Sequence, residues 1–337
     1  MENDILQTNT LVVGAGPAGT TCASLLHQAG IDTLLVDVAT FPRDKICGGG
    51  LTPKAYRLLA ELMPDLDYPY HSEHRISLLI EGTKRCSFDM AEELRIVNRK
   101  DFDNRLLCRY TDSGGRYLKG CFERFDTQAD GTLLVTLRSG QQVSCRHLVG
   151  ADGANSHVRR QVAGAYDGNV LCLEQYLPKS GEGLVGGLSR RYGRGYYYLF
   201  PGTDRDVVGY GAVGSGKSDF LRVMDEMQQA NDVIHGAYIP IRTVLSPLPQ
   251  VMLIGDAGGY ANRVTYEGLY YAFATARNAA QAIVEDKPFA DTNADILRRK
   301  RKEELLVRLV YSRLGLSLIA LCARNVRLTK RLFDHYV

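Results

Sequence analysis

Three glycines and one acid near the N-terminus have the spacing of a dinucleotide site. Gly14, Gly16 and Gly19 follow a short apolar run and open a helical pattern. The first glycine permits a tight turn, the second lets a pyrophosphate approach the backbone, and the third lets helix and strand pack closely. Asp37 ends the next apolar run, where an acid is expected to bind the adenosine ribose. We therefore predict a dinucleotide site here, the alternative being a glycine-rich βαβ turn without a ligand.

A second glycine-rich stretch, Cys47-Gly48-Gly49-Gly50, follows soon after that acid. Consecutive glycines cost backbone entropy and bury little surface. We expect that they do not serve packing but let the backbone pass close to a flat ligand. The chain has eight cysteines without a CxxC pair, so we predict neither a zinc site nor a disulfide framework, and expect most thiols to be free and buried.

The elements that position these residues alternate between two kinds of pattern. Residues 11–37 read as a strand, a glycine turn, a helix and a second strand, which predicts a βαβ unit. Loosely alternating segments at 74–97 and 165–245 predict antiparallel strands that leave this unit. The predicted domains are therefore 1–72, 98–163 and 246–287 for the nucleotide domain, 73–97 and 164–245 for an inserted β-sheet domain, and 288–337 for a basic helical region.

Composition and charge describe an ordinary globular chain with a basic tail. The chain has 337 residues, 45% of them hydrophobic and 23% charged, which suits two domains. Its N-terminus is acidic where a secretory signal needs bases, and no apolar run reaches the roughly 18 residues of a spanning helix, so we expect a cytoplasmic protein. Residues 291–337 hold 11 Lys/Arg against 5 Asp/Glu, whereas residues 1–290 hold 30 against 33.

Basic and apolar clusters alternate within this tail, over residues 297–332. Such a basic amphipathic segment could lie on an anionic membrane, which predicts a peripheral membrane contact. The alternative is a helical cap that packs on the core and turns a basic face to solvent. We do not expect nucleic-acid binding, because the basic residues lack interleaved aromatic residues and the rest of the chain is acidic.

Three separated signatures resemble those of the FAD-dependent hydroxylase and geranylgeranyl reductase superfamily. They are the glycine turn with Asp37, LVGADGANSHVRR at 148–160 and LIGDAGGY at 253–260. The stretch PRDKICGG at 42–49 and the aromatic and glycine pattern at 196–211 are similar to motifs of the geranylgeranyl reductases. DGANSHVRR and the basic tail resemble the short CbrA-type flavoproteins. The resemblance covers essentially the whole chain and implies an α/β fold: a Rossmann-like FAD domain, an inserted antiparallel β-sheet substrate domain and a C-terminal helical cap.

The same resemblance implies a set of FAD-binding residues. Arg99 would reach toward the ribityl or isoalloxazine region, Asp152 with Gly153 would support the pyrophosphate, and Asp256 would bind the ribityl hydroxyls. The other implied cofactor contacts are Gly14, Gly16, Pro17, Ala18, Gly19, Asp37, Lys45, Cys47, Gly48, Gly49, Gly255 and Gly268.

The implied substrate contacts are Tyr196, Tyr198, Phe200 and Arg263. Three residues depart from the motifs of the prototypical reductases: Arg263 replaces a proline, Tyr266 a glycine and Tyr198 a tryptophan. The first two stand beside the expected flavin face. The resemblance therefore leaves the shape of the substrate pocket open.

The chemistry that the resemblance implies is hydride transfer from reduced FAD to a carbon–carbon double bond of a hydrophobic, prenylated substrate. A helix beginning near Gly268 would stabilise the anion of the reduced isoalloxazine through its N-terminus. Reduction also needs a proton donor, for which Cys47, Tyr198 and Tyr266 are candidates; otherwise they are a packed thiol and aromatic pocket walls. A reduced nicotinamide or another donor would supply the electrons without a Rossmann domain of its own.

Three other functions stay open at this point. A monooxygenase on the same fold would need a dry pocket for oxygen chemistry, and a non-enzymatic flavoprotein would act as a redox partner. GAVGSGKS at 211–218 fits the phosphate-binding loop GxxxxGK[ST], and Asp256 could then hold magnesium in an ATP- or GTP-hydrolysing protein. The Cys-Gly-Gly run and the YxYxFP motif favour the reductase over the monooxygenase. The phosphate-binding loop is disfavoured, because Gly209 and Gly211 already belong to the reductase-like pattern and Asp256 to the flavin pattern.

Overall fold

Two β-sheets organise the chain, which we describe from a computed structural model over residues 4–336 except 82, 190, 192, 228 and 230–232. The first sheet holds the predicted βαβ unit, and the second covers one edge of it. The strands in these residues are β1 (Leu6–Val13), β2 (Thr33–Asp37), β3 (Gly50–Leu51), β4 (His71–Ile80), β5 (Thr83–Ile96), β6 (Arg116–Lys119), β7 (Phe122–Thr127), β8 (Leu133–Leu137), β9 (Gln142–Gly150), β10 (Asn169–Leu177), β11 (Leu184–Leu188), β12 (Gly195–Pro201), β13 (Asp206–Ala212), β14 (His235–Pro240) and β15 (Val251–Leu253).

Helices cover the first sheet and form the C-terminal region. A 3-10 turn at Gly255–Gly258 follows β15 and precedes the longest helix of the nucleotide-binding region. The α-helices in the described residues are α1 (Pro17–Gln28), α2 (Pro53–Leu62), α3 (Arg99–Asp112), α4 (His157–Ala163), α5 (Lys217–Glu226), α6 (Leu269–Val284), α7 (Phe289–Thr292), α8 (Ala294–Val310), α9 (Arg313–Cys322) and α10 (Val326–Tyr336).

The first sheet has the strand order β6-β2-β1-β9-β8-β7, with β15 beside β9. Strands β6, β2, β1, β9 and β15 run parallel, so their carboxyl ends meet at one edge of the sheet. Val12 of β1 packs on α1 and α6, whereas Leu11 and Val13 pack on β7, β8 and α4. This coverage of both faces explains why β1 and β2 are continuous apolar runs.

The second sheet has the order β14-β10-β13-β12-β11-β4-β5-β3. Its neighbouring strands are antiparallel except β4 and β11, which pair in parallel. The two-residue strand β3 pairs with β5, so a short piece of the predicted segment 1–72 contributes to this sheet. The predicted α/β fold, with a Rossmann-like unit, an inserted sheet and a helical C-terminus, is confirmed; the domain boundaries stay a prediction.

The C-terminal helices attach to both parts of the molecule. On α8, the buried Lys300 donates to the carbonyl of Ala261 and lies 2.6 Å from Glu303, and burial lowers the pKa of Lys300 to about 8. On α10, the ring of Phe333 contacts Phe88 of β5 at a centroid distance of 5.5 Å. No single helix in the described chain could span a membrane, although α8 and α9, bent by 84°, would be long and apolar enough as a pair.

Candidate functional site

A cavity of about 1560 Å³ lies where the parallel strands end. It is bounded by the carboxyl ends of β1, β2 and β9, by the inner face of the second sheet, and by residues of α8, α9 and α10. All predicted cofactor contacts line this cavity except Gly19 and Gly255. The structure therefore brings together residues that are separated by more than 250 positions in the chain.

The glycine turn after β1 has the geometry that a pyrophosphate needs. Gly14 has a φ of +107°, and a Cβ there would lie 2.3 Å from the carbonyl oxygen of Ala151. A Cβ on Gly19 would lie 1.8 Å from the carbonyl oxygen of Gly14, so Gly19 serves packing behind the turn. Gly16 begins α1 without a side-chain cap, which leaves the amides at that helix N-terminus available to an anion.

Asp37, at the end of β2, holds the glycine turn in place. Its Oδ2 accepts a hydrogen bond from the amide of Ala15 at 2.6 Å, and its Oδ1 accepts one from the amide of Ala39 at 2.7 Å. Each carboxylate oxygen can accept a further bond, and the residue lines the cavity. Asp37 therefore fits a ribose while it also fixes the turn.

The loop after β9 is fixed by Asp152, which caps α4. The carboxylate accepts hydrogen bonds from the hydroxyl of Ser156 at 2.5 Å and from the amide of His157 at 2.7 Å. Burial raises the pKa of Asp152 despite these bonds. Gly153 lines the cavity with a φ of +77°. Asp152 thus orients a loop at the predicted pyrophosphate position rather than presenting a free carboxylate there.

Arg159 clamps this loop to the 3-10 turn. The guanidinium is buried and donates to the carbonyls of Asp256 at 3.0 Å, Ala257 at 2.9 Å and Ala154 at 2.5 Å. Sequence reasoning missed this function, although Arg159 stands within the DGANSHVRR motif. The presence of an arginine in that motif could have suggested a residue that holds the loop in place.

The 3-10 turn presents Asp256 to the cavity next to the start of α6. No side-chain hydrogen bond to the Asp256 carboxylate is made by the described residues, and its Oδ1 lies 3.6 Å from the Cβ position of Gly268, the uncapped start of α6. Gly255 lies behind the cavity, where its amide donates to Thr275 and a Cβ would approach that of Ala18 to 2.9 Å. Asp256 and Gly268 therefore offer an acceptor and helix amides to one ligand.

The glycines after Cys47 serve packing as well as access, so the expectation that packing does not explain them is wrong. A Cβ on Gly49, at φ +74°, would lie 2.1 Å from the carbonyl oxygen of Val97. A Cβ on Gly50 would lie 2.8 Å from the ring of Phe200. A Cβ on Gly48 would lie 3.1 Å from the same ring. The loop lacks side chains at Gly48 and Gly50 because Phe200 of the second sheet packs directly on its backbone. We refer to the cavity-lining aromatic residues of β12 as the aromatic wall.

Arg99 begins α3 and lies at the cavity in a buried charge cluster. Its Nε and a terminal nitrogen bind the carboxylate of Asp103 at 2.8 and 2.9 Å, and Arg43 lies 3.2 Å from the same carboxylate. Burial acts to lower the pKa of Arg99, but Asp103 and the thiol of Cys47 outweigh it and raise the pKa. Sequence reasoning missed Arg43 and Asp103, which fix the predicted flavin contact.

The side chain of Tyr198 crosses a neighbouring strand of the second sheet over a glycine. In the register of β12, β13 and β10, Tyr198 lies opposite Gly209, which lies opposite Glu174. A Cβ on Gly209 would lie 2.3 Å from the Tyr198 ring, so only glycine lets this side chain cross β13. The Tyr198 hydroxyl donates to Oε1 of Glu174 at 2.5 Å and lies 3.1 Å from the sulfur of Cys172.

Tyr196 and Tyr266 form a stacked pair at the other end of this wall. Their ring centroids are 5.4 Å apart, and the Tyr266 hydroxyl donates to the carbonyl of Arg194 at 2.8 Å. Tyr266 has a φ of +56°, which explains why the related motif has glycine at this position. Burial raises the pKa of both phenols above the ordinary value, so they keep their protons.

Arg263 lies outside the cavity lining, although we predicted it as a substrate contact. Its amide donates to Glu303 at 3.2 Å and its guanidinium lies 3.7 Å from Glu304. Both acids are on α8: Glu303 holds the backbone of Arg263, and Glu304 pairs with its side chain outside the cavity. The predicted aromatic contacts Tyr196, Tyr198 and Phe200 do line it.

The phosphate-binding loop hypothesis for GAVGSGKS is wrong. The strand before it, β13, is flanked by two antiparallel strands, whereas β15, which precedes Asp256, belongs to the other sheet. The amide of Gly216 donates to Asp219 at 3.1 Å, and Lys217 is exposed outside the cavity. A nucleotide-hydrolysing site needs the loop and the magnesium-binding acid together, and the fold separates them.

Comparisons with known proteins agree with this geometry. A profile of the FAD binding domain matches residues 7–93. Menaquinone reductase of Mycobacterium tuberculosis is 29% identical over 324 residues, covering 82% of this chain and 76% of the relative. Geranylgeranyl diphosphate reductase of Arabidopsis thaliana is 29% identical over 315 residues, covering 81% of this chain and 65% of the relative. The chain therefore contains an FAD binding domain and is similar, at under 30% identity, to reductases of these names.

Solved structures share the fold at low identity. A geranylgeranyl bacteriochlorophyll reductase-like protein from Thermoplasma acidophilum has a TM-score of 0.73 at 18% identity, covering 98% of this chain and 91% of its own. A probable FAD-dependent monooxygenase from Pseudomonas aeruginosa has a TM-score of 0.68 at 18% identity, covering 97% of this chain and all of its own, 100%. At this identity the likeness shows a shared fold and nothing about the reaction.

The residues at the cavity fit FAD. The glycine turn is a cradle that any Cβ on Gly14 would fill. Beside the start of α6, the carboxylate of Asp256 accepts no side-chain hydrogen bond from the described residues. Bound at these residues and reduced by two electrons, FAD would supply a hydride. The chain would hold its pyrophosphate at the start of α1 and its ribose at Asp37.

Proposed function

We propose that this flavoprotein reduces carbon–carbon double bonds of a hydrophobic, prenylated substrate. The observation that carries the proposal is the cavity, which continues from the FAD residues to apolar side chains of the C-terminal helices. At about 1560 Å³ it is larger than the ~300–1,000 Å³ of an ordinary ligand pocket. Such a volume suits a cofactor together with an extended apolar chain.

The far end of the cavity is lined by side chains that suit a polyprenyl tail. Leu306 of α8, Leu318 and Ile319 of α9, and Leu332 and Phe333 of α10 border it. Apolar walls of this kind bind a hydrocarbon through burial rather than through directed hydrogen bonds. The names of the two reductases with 29% identity support a substrate that carries an isoprenoid chain.

The near end of the cavity suits hydride transfer. The start of α6 carries the positive end of a helix dipole, which favours negative charge on a ligand beside Gly268. Tyr196 and Tyr198 would bound the substrate on the other side. A reduced nicotinamide, or another two-electron donor that binds transiently, would return electrons to the cofactor.

We also propose that the C-terminal helices touch a membrane surface. One side of α9 and α10 packs on β5 through Ala323 and Phe333, whereas Leu314 and Leu321 are 69% and 59% exposed. Arginines and lysines surround these leucines in the basic tail. The cap and the membrane-binding segment are thus two faces of the same helices, and a lipid substrate would enter between them.

Product analysis tests the reductase directly. The protein, reduced with dithionite without oxygen, is incubated with geranylgeranyl diphosphate, and the product is examined by mass spectrometry. We expect a gain of two hydrogens for each reduced bond. A product that gains oxygen in air would indicate the monooxygenase instead, and unchanged substrate under all conditions would favour a redox partner without an enzymatic function.

A further inference from the structure

Glu174 is a buried acid whose position the FAD site does not explain. It is 3% exposed, lies on β10 and lines the cavity. Its Oε1 accepts the hydrogen bond of Tyr198, but its buried Oε2 accepts none among the described residues. An unpartnered carboxylate oxygen is costly to bury when charged, so its retention at a cavity wall points to a chemical role.

The groups that face Glu174 come from five elements. Cys172 and Tyr176 are two positions from Glu174 on β10. On the neighbouring strand β14, His235 lies directly opposite Glu174. On the other side, Tyr198 of β12 is in register with Glu174 across Gly209 of β13. Lys45, just before the glycine loop, and Arg99 of α3 act on it through their charges, and Cys47 acts on it through a backbone hydrogen bond. Within the described chain Glu174 forms no ion pair closer than 4.0 Å.

Among the acidic groups at the aromatic wall, Glu174 has a pKa nearest to neutral pH. Burial raises the pKa of Glu174 to about 6, although the Tyr198 hydrogen bond, Lys45 and Arg99 oppose the shift. Burial raises the pKa of Tyr198 and of Cys172 far more. A general acid works best when its pKa lies near the working pH, which favours Glu174 over the phenols and the thiol.

We propose that Glu174 is the general acid that protonates the double bond during reduction. The inference rests on the proposed reductase activity. The double bond takes a hydride from two-electron-reduced FAD at one carbon and the carboxyl proton of Glu174 at the other. The π bond is lost, two C–H bonds form, and oxidised FAD and a Glu174 carboxylate remain. Tyr198 orients the carboxyl through its bond to Oε1.

A route for renewing the proton runs along the sheet row. His235 lies opposite Glu174 on β14, an edge strand. Side chains directly opposite in antiparallel strands are about 4.5–5.5 Å apart at Cβ. His235 also lines a small surface pocket with Tyr176 and Arg205. In the proposed cycle, solvent protons would return to the carboxylate from this edge of the sheet, while electrons return to FAD from the nicotinamide or equivalent donor.

The test compares the Glu174→Gln and Glu182→Gln variants with the wild type. Glutamine keeps an oxygen for the Tyr198 hydroxyl, so E174Q should fold and bind FAD normally, and Glu182 is an exposed control. Dithionite should reduce the FAD of all three proteins alike. With geranylgeranyl diphosphate and no oxygen, we expect flavin reoxidation in E174Q to be slower by at least about 100-fold and to lose its pH dependence.

An infrared titration of the FAD-loaded protein adds a readout that needs no substrate. The wild type should show a protonated carboxyl band that disappears with a midpoint near pH 6 and is absent in E174Q. A missing band, or E174Q reoxidation at the wild-type rate and pH profile, overturns the assignment and leaves the reductase intact. A wild type that no prenyl substrate reoxidises refutes the proposed function and this step with it.

Discussion

At the scale of single residues, two glycines of β13 decide how the cavity wall is built. Gly209 and Gly211 point to the same side of their strand, and Tyr198 and Tyr196 lie opposite them on β12. At Gly209 the absent side chain leaves a groove in which the Tyr198 phenol lies across the strand, whereas a Cβ on Gly211 would meet Cys172 at 3.3 Å. The GxG spacing is therefore a packing requirement of the wall, set by the period of two along a strand.

Replacement of Gly209 by alanine tests this groove. The added Cβ would lie 2.3 Å from the Tyr198 ring and would push the hydroxyl away from Glu174. We expect a loss of about 1–3 kcal/mol in the free energy of unfolding, measured with urea. Gly186→Ala is the matched control, because its Cβ would meet Leu78 at an ordinary 3.5 Å. Equal stabilities of the two variants would contradict the groove.

The protonation of Glu174 makes a prediction for stability against pH. Its pKa is raised from 4.5 to about 6 in the folded protein, so folding favours the protonated form. The associated stability is present below pH 4.5 and is lost as pH rises through about 6. We expect the wild type to lose about 2 kcal/mol relative to E174Q between pH 4.5 and 8. Urea unfolding at both pH values measures it, and parallel pH dependences would contradict it.

At the scale of elements, the site is the shared edge of four parallel strands. Gly14, Asp37, Asp152 and Asp256 follow or end β1, β2, β9 and β15, and this is why the sequence could predict them. Each motif contains its own strand, turn and acid. Brought to one edge by parallel pairing, the motifs form one site, as in other doubly wound sheets.

Other parts of the site depend on strand register, which the sequence does not reveal. Glu174 and Tyr198 are 24 residues apart and meet only because β10 and β12 both pair with β13. GAVGSGKS resembles a phosphate-binding loop in sequence, because the sequence does not show that the strand before it pairs with two antiparallel strands. The surroundings of Arg263 were hidden for a similar reason, because Glu304, the acid beside its guanidinium, lies on α8, far along the chain.

A prediction at this scale concerns the clamp between the loop after β9 and the 3-10 turn. Arg159→Lys removes the forked donor that holds the carbonyls of Asp256 and Ala257. Loss of about 1–3 kcal/mol at a buried charged donor should raise the dissociation constant of FAD by about ten-fold or more. Flavin fluorescence measures that constant. The exposed neighbour variant Arg160→Lys should bind as the wild type does, and equal affinities in both variants would contradict the clamp.

At the scale of the whole molecule, the C-terminal helices join the cavity to the surface. They border its apolar end and carry the excess positive charge of the chain. A lipid substrate has to leave a bilayer before it reaches a buried cofactor. A basic surface with exposed leucines beside the cavity mouth shortens that transfer.

Vesicle binding tests this surface. We expect the protein to sediment with vesicles that contain phosphatidylserine and to be released by salt, since each basic residue contributes about 1 kcal/mol near such a surface. Arg324→Glu with Arg327→Glu should abolish most binding. Arg160→Glu with Lys217→Glu makes the same charge change elsewhere on exposed positions. Similar binding by the two double variants would show that the helices are only a cap.

The most direct test of the account is the visible absorption spectrum during anaerobic reoxidation. The protein is reduced with a stoichiometric amount of dithionite, and geranylgeranyl diphosphate or its fully saturated counterpart is then added. We predict that the yellow oxidised flavin bands return with the unsaturated lipid and stay absent with the saturated one. Flavin that stays reduced with every unsaturated lipid, or that both lipids reoxidise equally, would contradict double-bond reduction.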